Sequence, residues 1–93
     1  SAVVLTLGPA GVLFRTAERN LSQPAYPVET VDTTGAGDTF TGYFLATLMK
    51  TKQVELALQT AAAAAALSVT QPGAATSIPT LHDVNQFLAT RAS

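Results

Sequence analysis

Six consecutive alanines, Ala61 to Ala66, lie between Leu58 and Leu67 inside a stretch that carries no charge from Leu56 to Thr80. Alanine has the highest helix propensity of any residue and almost no bulk. The segment therefore predicts a helix from about Gln53 to about Val69 that a neighbouring element can approach closely. Gln59, Thr60 and Ser68 interrupt its apolar character, and Gln71-Pro72-Gly73 ends it. It is too short and too polar to be a bilayer span, which needs about 20 apolar residues. Whatever else the chain builds must pack against this small-residue surface.

The flanking segments supply candidates. Gly35-Ala36-Gly37-Asp38 opens a helix expected to run to about Lys50, with an apolar stripe of Ala36, Phe40, Tyr43, Phe44, Thr47 and Leu48. Those spacings of three and four fit a 3.6-residue period. Upstream, Ala2 to Leu7 has the near-continuous aliphatic pattern of a strand covered on both faces. Gly8 to Gly11 reads as a turn, and Val12 to Arg15 as a second strand, hairpin-paired with the first. Glu18 to Asn20 is a polar turn, and Leu21 to Val28 is extended, with Pro24 and Pro27 suiting an edge or a connection. Thr80 caps a last helix, with Asp83 as the acid three residues on. The order is strands and a hairpin followed by three helices, an α/β layer in a single domain spanning 1–93.

Charge excludes whole classes of function. Five Lys and Arg against six Asp and Glu give a net charge of −1, so no basic field exists for nucleic acid or for an anionic membrane surface. A 47% hydrophobic content rules out disorder. Without cysteine there is no disulfide, no thiolate nucleophile and no cysteine zinc site. The single histidine, His82, is expected as an exposed first-turn residue of the last helix. No basic segment precedes the first apolar run, so a cytoplasmic location is expected. A chain this apolar and short, entering a hydrophobic strand at residue 3, is expected to be a piece of a larger fold.

One acid stands out. Between Thr33 and Met49, Asp38 is the single ionisable acid or base with a solution pKa near or below neutrality, and it sits in the first turn of an otherwise apolar helix. The exposed amides and the dipole of a helix start stabilise a negative charge there. Gly42, one turn on, leaves space above it. Gly35 and Gly37 let a ligand approach the backbone closely, with unpaired N–H groups facing outward. Such donors can hold the charge that grows on a transferring phosphoryl group while the aspartate deprotonates an alcohol. Simple helix capping accounts for the same pattern, and neither the Walker A loop nor the dinucleotide fingerprint is matched.

Residues 31–42, VDTTGAGDTFTG, resemble the second signature of the ribokinase-like (PfkB) carbohydrate kinases. Thr6 to Gly11, the alanine helix and Ser68 to Pro79 match in the same order, the last most like the ribokinase branch, so the resemblance covers essentially the whole chain. It implies the C-terminal portion of a Rossmann-type kinase fold, and ATP-dependent phosphorylation of a sugar hydroxyl, D-ribose to ribose 5-phosphate. Another sugar or a nucleoside as acceptor, and a non-catalytic α/β module, are the alternatives. Residue by residue, it implies Asp38 as catalytic base touching the sugar, and Gly35, Ala36 and Gly37 as the anion hole. Thr6, Gly8, Gly11 and Gly37 would lie along ATP. Ala62 would lie beside the adenine, where the family often has Asn or His and a polar contact is therefore lost.

The resemblance further implies Mg2+ with the nucleotide and a monovalent cation, K+, near Asp32, Thr34, Ser68, Gln71, Gly73 and Ser77. Backbone carbonyls would supply most of those ligands, with Asp32 adding net charge. Family members are roughly three times this long. The sugar pocket, the lid and the magnesium-organising acidic motif would lie in a missing N-terminal part that is this chain's expected partner. The intact enzyme would be a homodimer, and the chain alone would be inactive.

Overall fold

The computed structural model describes residues 3–6, 11–26, 28, 31, 35–70 and 79–92. Three short strands come first: β1 (Val3–Thr6), β2 (Val12–Arg15) and β3 (Asn20–Gln23). Three helices follow: α1 (Ala36–Thr51), α2 (Val54–Ser68) and α3 (Leu81–Ala92). The sheet order is β1-β2-β3. Both pairings are antiparallel, Val3 opposite Arg15 through Thr6 opposite Val12, then Val12 opposite Gln23 through Arg15 opposite Asn20.

The hairpin and the helices lie where the sequence pattern puts them, and the extended segment after the polar turn is paired as an edge strand only at Asn20–Gln23, before Pro24. Pro24 has no N–H to donate to a ladder, so pairing stops there. The polar turn before it is closed by Thr16. Its N–H donates to the Arg19 carbonyl at 2.8 Å, and its hydroxyl accepts from the Glu18 and Arg19 amides. The ladder is antiparallel throughout the described residues, although the aliphatic run of β1 has the pattern of a parallel strand covered on both faces.

One face of the sheet carries Val12 and Phe14, and α1 and α2 cover it. The core joins those two residues to Phe40 and Phe44 of α1 and to Ala57, Leu58, Ala61 and Ala62 of α2. The Phe44 ring stacks on Phe40 with centroids 6.0 Å apart and meets Phe14 at 6.1 Å. Ala63 and Ala64 turn to the next helix, around a fully buried Val84 of α3. The rings of Tyr26 and Phe87 meet in a T-shaped arrangement with centroids 5.4 Å apart, which ties the exit of the sheet to α3. The alanine run thus forms two contact faces, one for α1 and the sheet and one for α3.

The helix ends follow sequence chemistry. Thr80 and Asp83 form a reciprocal cap: the Asp83 amide donates to the Thr80 hydroxyl at 3.1 Å, and the Thr80 amide donates to the Asp83 carboxylate at 3.4 Å. His82 is exposed in the first turn of α3, as expected. An exposed ion pair, Arg19 to Glu55 at 2.6 Å, links the β2–β3 turn to α2. At the end of α1, Lys52 adopts φ 60 and ψ 19, and its amide donates to the Leu48 carbonyl at 2.8 Å. That left-handed position favours glycine. Replacing Lys52 by Gly is expected to stabilise the protein by about 1 kcal/mol, read as a higher urea midpoint at unchanged m-value.

Candidate active site

The start of α1 is set by Gly35, whose φ of 81 and ψ of 0 place it in the left-handed region. A side chain is strained there, and glycine is not. The first intrahelical bond runs from the Thr39 amide to the Gly35 carbonyl at 2.9 Å. The amides of Ala36, Gly37 and Asp38 precede it and have no intrahelical acceptor, and no side chain of the described residues caps this end. Gly37 and Asp38 are exposed. A Cβ added at Gly37 would meet nothing within 4 Å, so the turn opens outward on this chain. The Thr41 hydroxyl donates to the Gly37 carbonyl at 2.9 Å, one turn in.

Asp38 stands in this same turn. A Cβ at Gly42 would also meet nothing within 4 Å, so the space above the carboxylate is open, as the sequence implies. Carboxylate and amides therefore share one accessible helix tip. The opposite side of α1 is committed to packing through Thr39, Phe40 and Phe44, which fixes the direction in which the tip faces.

Gly11 and Thr6 flank the β1–β2 hairpin. Thr6 ends β1 opposite Val12. Gly11 has φ +109, and a Cβ there would lie 2.2 Å from the Gln23 carbonyl oxygen and 2.9 Å from the Pro24 Cα. Whatever it does for a nucleotide, the fold itself needs glycine at this position. Ala62 is 7% exposed and belongs to the core cluster with Phe40 and Phe44, the close-packing role that alanine helices have.

Two loops converge at the far end of α2. The Val31 amide donates to the Val69 carbonyl at 2.6 Å, which brings the residue before Asp32 beside the residue after Ser68. Ser68 is 1% exposed, and its hydroxyl is used within the helix, donating to the Ala65 carbonyl at 2.8 Å. That bond commits the hydroxyl proton, while the hydroxyl oxygen keeps its lone pairs as an acceptor. The other residues expected at the cation and nucleotide sites, Gly8, Asp32, Thr34, Gln71, Gly73 and Ser77, lie outside the described residues. Among the described residues no group of three or more His, Cys, Asp or Glu converges on a point.

A tie that the sequence pattern does not single out is made by Tyr43. It counts there only as part of the apolar stripe, yet its hydroxyl donates to the Pro79 carbonyl. Burial, and secondarily the charge of Asp83, push its phenol above the ordinary tyrosine value, so the donor proton is retained at neutral pH. The signal was available in kind, since a buried tyrosine needs a hydrogen-bond partner for its hydroxyl. Which partner it takes depends on where the loop before α3 returns.

Comparison with known proteins places this geometry. Residues 1–81 match the model of the pfkB family carbohydrate kinases. Ribokinase from Bacillus subtilis is 42% identical over 85 residues, which cover 91% of this chain and 29% of that protein. Deoxyribokinase from Salmonella typhi is 37% identical over 87 residues, covering 94% of this chain and 28% of its own length. Arabidopsis thaliana ribokinase, solved with ribose and ATP, superposes with a TM-score of 0.90 at 38% identity, over 94% of this chain and 28% of that one. This chain therefore spans less than a third of the relatives it matches.

Replacing Gly11 by Ala forces backbone against backbone at the exit of β3. It is expected to cost roughly 3 kcal/mol or more, seen as a large fall in melting temperature with or without nucleotide.

Proposed function

The chain belongs to the pfkB family of carbohydrate kinases, and on that premise we propose that it supplies the phosphoryl-transfer end of an ATP-dependent sugar kinase, with a ribose-type acceptor. The observation that carries the reading is the open helix tip. Amides without intrahelical acceptors and an exposed carboxylate occupy one turn, with no side chain of the described residues over Gly37 or Gly42.

The chemistry follows from that arrangement. Asp38 accepts the proton of the acceptor hydroxyl as its oxygen forms a bond to the γ-phosphorus of ATP. The bond from that phosphorus to the bridging oxygen breaks, and ADP leaves. The amides of Gly35, Ala36 and Gly37 face the equatorial phosphoryl oxygens and stabilise the charge spread over them. No bond passes through a protein nucleophile, which fits a chain without cysteine. Thr6, Gly8 and Gly11 would lie along the nucleotide, and the adenine would lie beside α2 at Ala62. Mg2+ would accompany the phosphates and neutralise part of their charge, and the acidic motif that would organise it belongs to the remainder of an intact kinase.

The C-terminal end of α2 fits a monovalent cation. Its last carbonyls carry the negative end of the dipole, and the Val31–Val69 hydrogen bond holds Val31 beside them. Asp32, Thr34, Ser68, Gln71, Gly73 and Ser77 would surround the ion, mostly through backbone oxygen. There K+ would help hold the anion-hole loop in place.

Ribose is the favoured acceptor because the ribokinase relatives are the more similar, at 42% identity in the B. subtilis protein. A 2-deoxyribose acceptor is the second reading, favoured by the 37% identity to deoxyribokinase. The groups that choose between them lie in the remainder of an intact kinase. For the same reason the 93-residue chain alone should not turn over, because orientation of the acceptor is absent.

In the intact kinase, Asp38→Asn is expected to lower kcat by about 10²- to 10⁴-fold with ATP affinity changed by less than about threefold. Single-turnover assays and nucleotide titration separate the two, and unchanged turnover would remove the base from the mechanism. Exchanging K+ for Na+ is expected to reduce turnover severalfold in a steady-state assay, and equal rates in the two salts would remove the cation from the α2 end.

A further inference from the structure

Packing sets which side of α1 is buried, but it holds the helix less firmly along its own axis. The buried side meets α2 at Ala57, Ala61 and Ala62, whose methyl groups form only shallow ridges against sliding. Hydrophobic contact is also non-directional. A hydrogen bond has direction, and Tyr43 makes one that leaves the helix. The Thr41 and Thr51 hydroxyls donate within α1, to the Gly37 and Thr47 carbonyls, whereas the Tyr43 hydroxyl donates to the Pro79 carbonyl. The Tyr43 side chain packs against both core clusters, the one around Phe40 and Phe44 and the one around Val84. The acceptor is itself held. On the other side of the same peptide bond, the Thr80 amide donates to the Asp83 carboxylate at 3.4 Å. One peptide unit is thus fixed from both sides, by α1 and by α3.

Asp38 lies on the same helix, five residues before Tyr43 and about 7.5 Å along the axis. The intrahelical ladder between them carries a displacement at Tyr43 to the tip. We propose that Tyr43 is a positioning residue for phosphoryl transfer: its hydroxyl, anchored on the Pro79–Thr80 peptide, sets the axial place of α1 and so the place of the Asp38 carboxylate. The inference rests on the kinase reading above and adds to that site a residue whose hydroxyl is engaged with the protein itself. Phosphoryl transfer feels such a displacement, because positioning does much of its work and an error of about 1 Å costs up to about a hundredfold. Binding of the nucleotide is spread over many contacts and feels it less. A hydroxyl that only added stability would raise the melting temperature and leave the chemical step alone.

Tyr43→Phe removes the hydroxyl and keeps the ring, so both clusters retain their packing. In the intact kinase, well below its melting temperature, the substitution is expected to lower kcat about tenfold. The Kd for ATP, from equilibrium titration, is expected to change by less than about twofold. Placed on Asp38→Asn, the same substitution is expected to cost less than about twofold, because the base it positions is gone. A kcat within about twofold of the parent enzyme overturns the proposal. So does an equal loss in both backgrounds, which marks a change in the fold at large. Weaker ATP binding with kcat unchanged overturns it too. The two readings stay apart in the same set of variants. Tyr43→Phe without effect in a kinase that Asp38→Asn disables sinks the positioning role alone, whereas full turnover in Asp38→Asn sinks the base and the positioning role with it.

Discussion

The fold depends on how closely its neighbours can approach α2. Ala57, Ala61, Ala63 and Ala64 are fully buried, and none projects beyond a methyl group. The sheet and α1 come in against Ala57, Ala61 and Ala62, and α3 against Ala63 and Ala64. Bulk at the first contact comes from the other side, from Phe14, Phe40 and Phe44. This division of large against small lets one helix serve two interfaces with so few heavy side chains. It also commits one face of α1 and leaves the other free, and Asp38 lies on the free side.

The candidate site is built mainly of backbone. Gly35 takes a conformation that strains other residues, which turns the first amides of α1 outward, and Asp38 supplies the one charged side chain among them. At the far end of α2 the ties are also to main chain: the Val31 amide donates to the Val69 carbonyl, and the Ser68 hydroxyl donates to the Ala65 carbonyl. A site of amides and carbonyls needs few ionisable groups, which fits a chain with 12% charged residues. Phosphoryl transfer suits such a site, because positioning and fixed dipoles do most of its work.

Much of this was legible in advance. Helix α1 follows from its stripe, β2 from its aliphatic run, and the α3 cap from Thr80 and Asp83, because each is decided by residues a few positions apart. The left-handed turn at Gly35 is foreshadowed by glycine itself. Other features were not legible. Beside the nucleotide role expected of Gly11, its crowding by the Gln23 carbonyl, twelve residues on at the end of β3, and by Pro24 leaves no trace in the local pattern. The partner of Tyr43, at Pro79, is fixed by where the chain before α3 comes to lie.

Sequence alone determined the helices, the hairpin, the open helix start and the aspartate within it, since propensity, turn chemistry and helix dipoles act over one or two turns of chain. Tertiary structure decided which alanines face which neighbour, why Gly11 admits no side chain, that Val31 meets Val69, and that Leu45 and Met49 remain uncovered. Those outcomes depend on atoms brought together from distant parts of the chain. Close packing settles them, and local pattern carries no record of it.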